Sequence, residues 1–294
     1  MSLERITAIP RLRPREAAAH KGDYGTVLVV AGGRGMAGAA ALVGMGALRS
    51  GAGKVKIGAP AEVQPTVAQF EPSYMAYPLP DDGAGRLDFP ACLDELQELL
   101  DDATVLAAGP GLRQSEGLRG LVRWIIETVK LPTVLDADAL NNLVGQTDLL
   151  RKATRPIILT PHPGEFARLT ARRTGEVQAG REDLAAEFAA DHGVIVVLKG
   201  HGTVVTDGQR LYVNETGNPG MATGGAGDVL GGVIAALIGQ GLPPFDAAQL
   251  GVYVHGLAGD IARDQNGEIG MIAGDIADTL PDAFYHLGAA ADEP

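Results

Sequence analysis

Short runs of apolar, mostly β-branched residues alternate along the chain with longer segments of helical periodicity. Runs such as VLVVA at 27–31 and VIVVLK at 194–199 are almost wholly apolar rather than apolar at every second position. A strand covered by helices on both faces has this composition, whereas a strand with one exposed face alternates. The pattern therefore predicts an α/β fold with a mostly parallel, doubly wound sheet.

The predicted elements alternate over most of the chain. Strands are predicted at 26–31, 54–57, 104–108, 133–136, 156–160, 194–198, 203–206 and 210–213. Helices are predicted at 38–50, 62–70, 92–100, 116–129, 139–143, 164–169, 181–192, 227–239, 245–264 and 272–287. Asp207-Gly208 between the last two strands is a hairpin signal and predicts an antiparallel edge. No internal segment has the composition of a linker, so we predict one domain, 1–294, with a flexible tail at 289–294.

Composition and charge narrow the classes of partner. The 294 residues carry a formal net charge of −12, with no basic cluster beyond short pairs. This argues against a nucleic acid or an anionic membrane as partner. The sequence has no uninterrupted run of 18 apolar residues, and its charged N-terminus is unlike a signal peptide, so we expect a cytoplasmic protein. The single cysteine, Cys92, excludes an internal disulfide and a cysteine-based zinc site, and we expect it to be a small apolar filler.

The segment NPGMATGGAGD, 218–228, runs directly into the apolar helix predicted at 227–239. The first N–H groups of a helix have no partner within it and coincide with the positive end of the helix dipole, so they form an anion site. Glycines at 224, 225 and 227 allow a phosphate to approach the main chain. Asp228 is interpreted either as a carboxylate that complements the dipole or as a base beside a phosphate, and we favour the base.

Five loops that directly follow predicted strands carry glycine or polar residues. They are residues 32–34, 109–111, 136–138, 160–165 and 199–203. Open parallel sheets bind ligands at the carboxyl ends of their strands. We therefore expect these five loops to converge on one edge of the sheet.

The glycine loop lacks the lysine of a Walker A motif, and no dinucleotide-binding GxGxxG follows a strand. Its GAGD string resembles the anion hole of the ribokinase-like superfamily, and NPGMATGGAGDVLGG is similar to the ADP/ATP-dependent NAD(P)H-hydrate dehydratases. KGHGT, TPHPGE, GPGL, DADALN and the ALRSGAG region resemble the same family, over 32–232. The resemblance implies a ribokinase-like three-layer α/β/α sandwich. It also implies that the epimerase half common in the family is absent, because about 25 residues precede the first strand.

The resemblance also implies roles for individual residues. The nucleotide would be bound by Lys199, Gly200, His201, Gly202, Thr203 and Gly227. The substrate would lie against Ala39, Gly111, His162 and Asp228, and the anion hole would comprise Gly225, Ala226 and Gly227. Mg²⁺ and ADP or ATP are the implied cofactor and co-substrate. Glu165 resembles an acidic residue near the water shell of Mg²⁺, and no residue is implied as a direct metal ligand.

Several of these residues also have a plain structural interpretation. A lone histidine such as His162 is more often structural than catalytic, and a strand-end lysine such as Lys199 is often merely solvated. For Asp138 a helix cap is the favoured interpretation, whereas Asp136 would orient substrate or metal-bound water. Arg113 replaces a glycine of the family pattern and offers an extra phosphate contact. Gly33 stands where the family has a serine.

By resemblance, the implied activity is that of a hydro-lyase in metabolite repair: nucleotide-dependent dehydration of the (6S) hydrate of NADH or NADPH. One alternative is a small-molecule kinase of the same fold that acts on a vitamin precursor such as a hydroxymethylpyrimidine. The other is a nucleotide sensor without catalysis. ADP is favoured over ATP, the choice between NADH and NADPH stays open, and the family tendency implies a homotetramer.

Overall fold

Residues 3–289 are described by the computed structural model, and this range contains ten strands and eleven α-helices. The strands are β1 (Glu4–Arg5), β2 (Thr26–Val30), β3 (Lys54–Pro60), β4 (Met75–Leu79), β5 (Val105–Ala108), β6 (Thr133–Leu135), β7 (Ile157–Leu159), β8 (Ile195–Leu198), β9 (Val204–Thr206) and β10 (Arg210–Val213). The helices are α1 (Ala37–Arg49), α2 (Gln64–Phe70), α3 (Leu93–Leu100), α4 (Glu116–Thr128), α5 (Asp138–Leu143), α6 (Pro163–Leu169), α7 (Thr174–Ala179), α8 (Arg181–His192), α9 (Ala226–Gly239), α10 (Pro244–Asn266) and α11 (Ala273–Ala289).

All ten strands form one sheet in the order β1-β10-β9-β8-β7-β6-β5-β2-β3-β4. Every pairing is parallel except those of β9, which is antiparallel to both β8 and β10. The chain moves outward from β2 to β3 and β4 and then returns to β5 on the other side of β2. This reversal creates a switch point between β2 and β5, where open α/β sheets form their ligand crevice.

The sheet is covered on both faces, as the apolar strand runs predicted. In β2, Val27 and Val29 pack with the core formed by α1, α2, α9, α10 and α11. Leu28 and Val30 of the same strand pack with the core formed by α3 to α8. Successive strand residues point to opposite faces, so a strand buried on both faces needs apolar residues throughout. The predicted three-layer arrangement is confirmed.

The predicted strands and helices are all present, with ends that differ by at most three residues. The sequence pattern missed β1, β4 and α7. Two charged, exposed residues form β1, which gives no apolar signal. Pro78 within β4 is atypical of a strand, and here β4 lies at the outer edge of the sheet, where a missing N–H is tolerated.

The antiparallel hairpin of β9 and β10 is confirmed, and β1 adds one further parallel strand outside it. Cys92 is fully buried directly before α3, as expected of an apolar filler. Of the predicted tail at 289–294, Ala289 is the last residue of α11 and the rest lie outside the described residues. Over 3–289, no helix has both the length and the apolar character needed to span a membrane.

Two glycines let α1 and α9 pack backbone to backbone. A Cβ built on Gly232 of α9 would lie 2.0 Å from the carbonyl oxygen of Val43, and one on Gly46 of α1 would lie 2.3 Å from the carbonyl oxygen of Val229. Neither position therefore accepts a side chain. The close crossing fixes the first turn of α1 relative to the start of α9, the helix that follows the glycine loop.

Candidate active site

The glycine loop ends at Gly225, which adopts a φ of 92° and is the N-cap of α9. The positive φ favours glycine at this position, and a Cβ there would lie 2.4 Å from Leu42 Cδ1, so the leucine side chain would have to shift. The following N–H groups, of Ala226, Gly227 and Asp228, belong to the first turn and have no acceptor within the helix. Next to them, Gly224 borders open space. The start of α9 thus has the form of the predicted anion hole.

Asp228 is the third residue of α9. Burial raises the pKa of its carboxyl to about 7, repulsion from Asp136 adds to the rise, and the positive charge of Lys199 opposes it. A carboxylate that only complements a helix dipole is normally solvated and has an ordinary pKa. A pKa near neutrality suits a general base, because such a group both accepts and releases protons at neutral pH.

Lys199, directly after β8, forms an ion pair with Asp136, directly after β6. Lys199 Nζ lies 2.6 Å from Asp136 Oδ1, and the two side chains are 18% and 2% exposed. Burial disfavours the ammonium of Lys199, but Asp136 and Glu165 outweigh this effect and raise its pKa, so it stays protonated. A Cβ built on Gly227 would lie 3.0 Å from Nζ. The lysine is therefore held against the first turn of α9 rather than solvated.

The loop after β8 is folded around two glycines with positive φ, Gly200 at 132° and Gly202 at 62°. Thr203 closes it by donating from Oγ1 to the carbonyl of Gly200 at 2.9 Å, and His201 is exposed at its tip. The loop presents its main chain beside Lys199. This is the geometry expected of a segment that contacts phosphate and ribose.

His162 is the N-cap of α6 and forms a reciprocal pair with Glu165. Its Nδ1 accepts from the N–H groups of Gly164 at 3.0 Å and Glu165 at 3.3 Å, while Glu165 Oε2 accepts from the N–H of His162 at 2.8 Å. Nδ1 is therefore unprotonated, and burial followed by the charge of Lys199 lowers the pKa of the ring. The structural interpretation of His162 holds, yet its side chain is 51% exposed and accessible to a ligand.

At the switch point, the loops after β2 and β5 are joined. The N–H of Gly32 donates to the carbonyl of Pro110 at 2.8 Å. A Cβ on Gly111 would lie 3.3 Å from that of Ala39, in the first turn of α1. A Cβ on Gly33 would lie 2.6 Å from the carbonyl oxygen of Gly111. The absence of a side chain at Gly33 therefore allows the two loops to approach this closely.

Comparison with known proteins identifies the family. A family model described as NAD(P)H-hydrate dehydratase matches residues 27–282. The chain belongs to the NAD(P)H-hydrate dehydratase family. It is 47% identical over 279 residues to a bifunctional NAD(P)H-hydrate repair enzyme of Moorella thermoacetica, covering 94% of this chain but 52% of that protein. The chain thus spans about half the length of the bifunctional relatives it matches.

Relatives of similar length are also matched. An ADP-dependent (S)-NAD(P)H-hydrate dehydratase of Neisseria meningitidis is 39% identical, covering 90% of this chain and 86% of that protein. A crystal structure of the ADP/ATP-dependent NAD(P)H-hydrate dehydratase from Bacillus subtilis, co-crystallised with ATP and Mg²⁺, superimposes with a TM-score of 0.80 at 34% identity, covering 94% of each chain. The fold is also that of a ribokinase-like superfamily protein from Enterococcus faecalis, with a TM-score of 0.79 at 24% identity. The predicted ribokinase-like fold is confirmed.

Two residues of this family member have partners other than those expected. Arg113 has a φ of 64°, and its guanidinium donates to the carbonyl of Arg34 at 2.9 Å. Asp138 is not the cap of α5, since Ala137 occupies that position. Its carboxylate accepts from the N–H of Arg113 at 2.7 Å and from Asn141 Nδ2 at 3.0 Å. The cap interpretation was wrong because the loop after β5 approaches the start of α5.

Sequence reasoning missed Arg181, at the start of α8. Its guanidinium donates to the carbonyls of Leu198 at 2.8 Å, Gly202 at 3.2 Å and Lys199 at 3.3 Å. These three bonds hold the loop after β8 in its curved form. No motif signals this role, because Arg181 precedes the loop by 18 residues and stands in an ordinary helix start.

Proposed function

We propose that the protein converts the (6S) hydrate of NADH or NADPH back to the reduced nicotinamide, with ADP as phosphoryl donor. The observation that supports this most is the position of Asp228, a carboxyl with a pKa of about 7 at the start of α9, beside open main-chain N–H groups and the ammonium of Lys199. Similarity to dehydratases over 90–94% of the chain supports the substrate class.

The first step is phosphoryl transfer. The hydroxyl on C6 of the hydrated ring leaves poorly as hydroxide. Asp228 accepts its proton while the hydroxyl oxygen bonds to the β-phosphorus of ADP, and the bond from that phosphorus to the bridging oxygen breaks to release AMP. The N–H groups of Gly225, Ala226 and Gly227 face the oxygens of the phosphoryl group in transfer. Donors fixed in advance in this way stabilise the charge of the transition state without reorganisation.

The second step is elimination. The lone pair of the ring nitrogen expels phosphate from C6, and C5 then loses a proton to solvent water, which restores the C5–C6 double bond of the dihydronicotinamide. The net products from hydrate and ADP are NAD(P)H, AMP and phosphate. Phosphate is the better leaving group because its negative charge is spread over several oxygens.

Binding is divided between two groups of loops. The nucleotide lies along Lys199, Gly200, His201, Gly202 and Thr203, and meets Gly227 at the helix start. The hydrated ring lies at the switch point, against Ala39 and Gly111, with His162 and Asp228 on its other side. The carboxyl ends of the central strands bring these two groups together, as an open α/β sheet does.

The charges around Lys199 fit a magnesium ion carried with the nucleotide. Asp136 Oδ2 is buried and has no hydrogen-bond partner among residues 3–289. Asp136, Glu165 and Asp228 all act on Lys199, so the carboxyls outnumber the one ammonium. No three His, Cys, Asp or Glu side chains in the described range are grouped as direct ligands. Asp136 and Glu165 would therefore hold the water shell of Mg²⁺, which neutralises phosphate charge when bound.

The test combines hydrated NADH, ADP and Mg²⁺ and follows the absorbance of reduced nicotinamide together with phosphate release. We expect Asp228→Asn to lower kcat by at least about 100-fold while the affinity for ADP is retained, because only the proton acceptor is removed. Asp246→Asn is the matched control, since Asp246 is likewise the third residue of a helix, α10, and pairs with Arg210 away from the site. Full turnover of the Asp228→Asn variant would remove this residue from the mechanism.

The same assay separates the rival functions. A kinase would accumulate a phosphorylated substrate without return of absorbance, and a nucleotide sensor would bind ADP without releasing phosphate. Comparing ADP with ATP as donor tests the preference for ADP, and light scattering tests the predicted homotetramer. The cytoplasmic location stays a prediction.

A further inference from the structure

Helix α10 carries a buried histidine to which the proposed mechanism gives no part. The side chain of His255 is almost completely enclosed, with the residue 8% exposed. Its Nε2 lies 2.9 Å from the carbonyl oxygen of Ala226, the first residue of α9. The residues around it in α10 include the buried Val252, Val254 and Ala258. An aliphatic side chain would suit such surroundings without the desolvation of a polar ring.

The direction of this hydrogen bond follows from its acceptor. A carbonyl oxygen only accepts, so Nε2 carries the hydrogen and donates. Burial lowers the pKa of His255 to about 4, and the bond to Ala226 only partly offsets that fall. The ring is therefore neutral near pH 7, with Nε2 as its donor nitrogen.

The bond acts on one particular peptide group. The carbonyl of Ala226 and the N–H of Gly227 belong to the same planar peptide, and they point in opposite directions. The carbonyl points along α9 into the protein, where His255 meets it, and the N–H points out of the helix start. A hydrogen bond to one end of a peptide polarises the other end, and strengthens its bond by about 10–30%.

The same helix also holds the segment that leads into the anion hole. Asp260 of α10 accepts from the N–H of Gly217 at 2.9 Å and from Asn218 Nδ2 at 3.0 Å. Asn218 Nδ2 also donates to the carbonyl of Gly259 at 2.8 Å. Helix α10 thus binds both the beginning of the loop, through Asp260, and its end, through His255.

We propose that His255 is a positioning residue that orients and polarises the Ala226–Gly227 peptide, so that the N–H of Gly227 faces and binds the phosphoryl group. This inference rests on the proposed function of the start of α9. His255 does not touch substrate in this assignment, because the ring lies behind the peptide and acts through it.

The experiment compares His255→Gln with His255→Asn. Both variants place a neutral amide in the same buried position, but only glutamine places its NH₂ group about as far from the backbone as Nε2 of the histidine. We expect His255→Asn to lower kcat about 10-fold per folded enzyme with a KM for ADP within about 3-fold, and His255→Gln to stay within about 3-fold of the wild type in both. His192→Gln is the control, because His192 also bonds a helix carbonyl, that of Phe188, away from the site.

A second readout does not depend on turnover. Calorimetric titration with inorganic phosphate measures the anion hole directly, and we expect the affinity to fall several-fold in His255→Asn but not in His255→Gln or His192→Gln. Wild-type phosphate binding and kcat in His255→Asn, or equal losses in both His255 variants, would overturn the proposal. If phosphate affinity falls only in His255→Asn but the wild type never regenerates NADH, the proposed function fails while the role of His255 stands.

Discussion

The raised pKa of Asp228 predicts that this residue lowers the stability of the folded protein at neutral and alkaline pH. The carboxyl has a pKa of about 7 in the folded protein against an ordinary value of 3.8, with burial as the largest cause. The folded state therefore binds the proton more tightly than the unfolded chain. The stability that this binding contributes is present in full below about pH 4 and is lost as the pH rises through 7.

The magnitude follows from the two pKa values. At about 1.4 kcal/mol for each tenfold change in proton affinity, the full loss is about 4 kcal/mol at pH 8, and less than about 2 kcal/mol has been lost at pH 5. Asp228→Asn has nearly the same shape and no charge. We therefore expect this variant to have a free energy of unfolding about 4 kcal/mol higher than that of the wild type at pH 8. At pH 5 this difference should be smaller by about 2.5 kcal/mol.

Urea unfolding at pH 5, 6, 7 and 8 and at one protein concentration measures this difference. Titrating groups distant from Asp228 contribute equally to both proteins, so the difference between wild type and variant reports Asp228 together with its coupling to Asp136, Lys199 and Glu165. Asp246→Asn should show no such trend. A difference that does not change with pH, or an Asp228→Asn variant less stable than the wild type at pH 8, would refute the account of this carboxyl as a buried base.

Two further predictions concern the scaffold of the site. Gly232→Ala should reduce the free energy of unfolding in urea by at least about 3 kcal/mol, because its Cβ would lie 2.0 Å from the carbonyl oxygen of Val43. The control Gly231→Ala, whose Cβ would have no atom within 4 Å, should be neutral or stabilising. Equal effects of the two substitutions would contradict the packing of α1 on α9. Arg181→Met should raise the KM for ADP about 10-fold with little change in kcat, since three carbonyls of the loop lose their donor, and an unchanged KM would show that the loop holds its form alone. Arg172→Met serves as the exposed control.

The sequence alone determined the layers and the loops of this protein. Strands buried on both faces consist of continuous apolar runs, and the glycine loop is visible as a glycine-rich segment directly before an apolar helix. Both patterns involve residues that are close in the chain, so they can be recognised in the sequence. The convergence of the loops at one edge also followed, since the direction of parallel strands fixes where their carboxyl ends lie. These local rules missed β1, whose charged pair gives no apolar signal, and β4, where Pro78 is atypical of a strand.

Tertiary structure alone decided the partners of the charged and polar side chains. Asp136 and Lys199 are 63 residues apart, and nothing in either motif shows that they pair. The bond of His255 to Ala226 spans 29 residues and joins two helices. The partner of a side chain depends on how helices and strands cross in three dimensions. The burial that results from this packing also shifts the pKa of a titratable side chain, as it does for Asp228. Residue type and spacing describe the local chain, so they indicate candidate groups for the chemistry but not the neighbours that set the pKa of those groups.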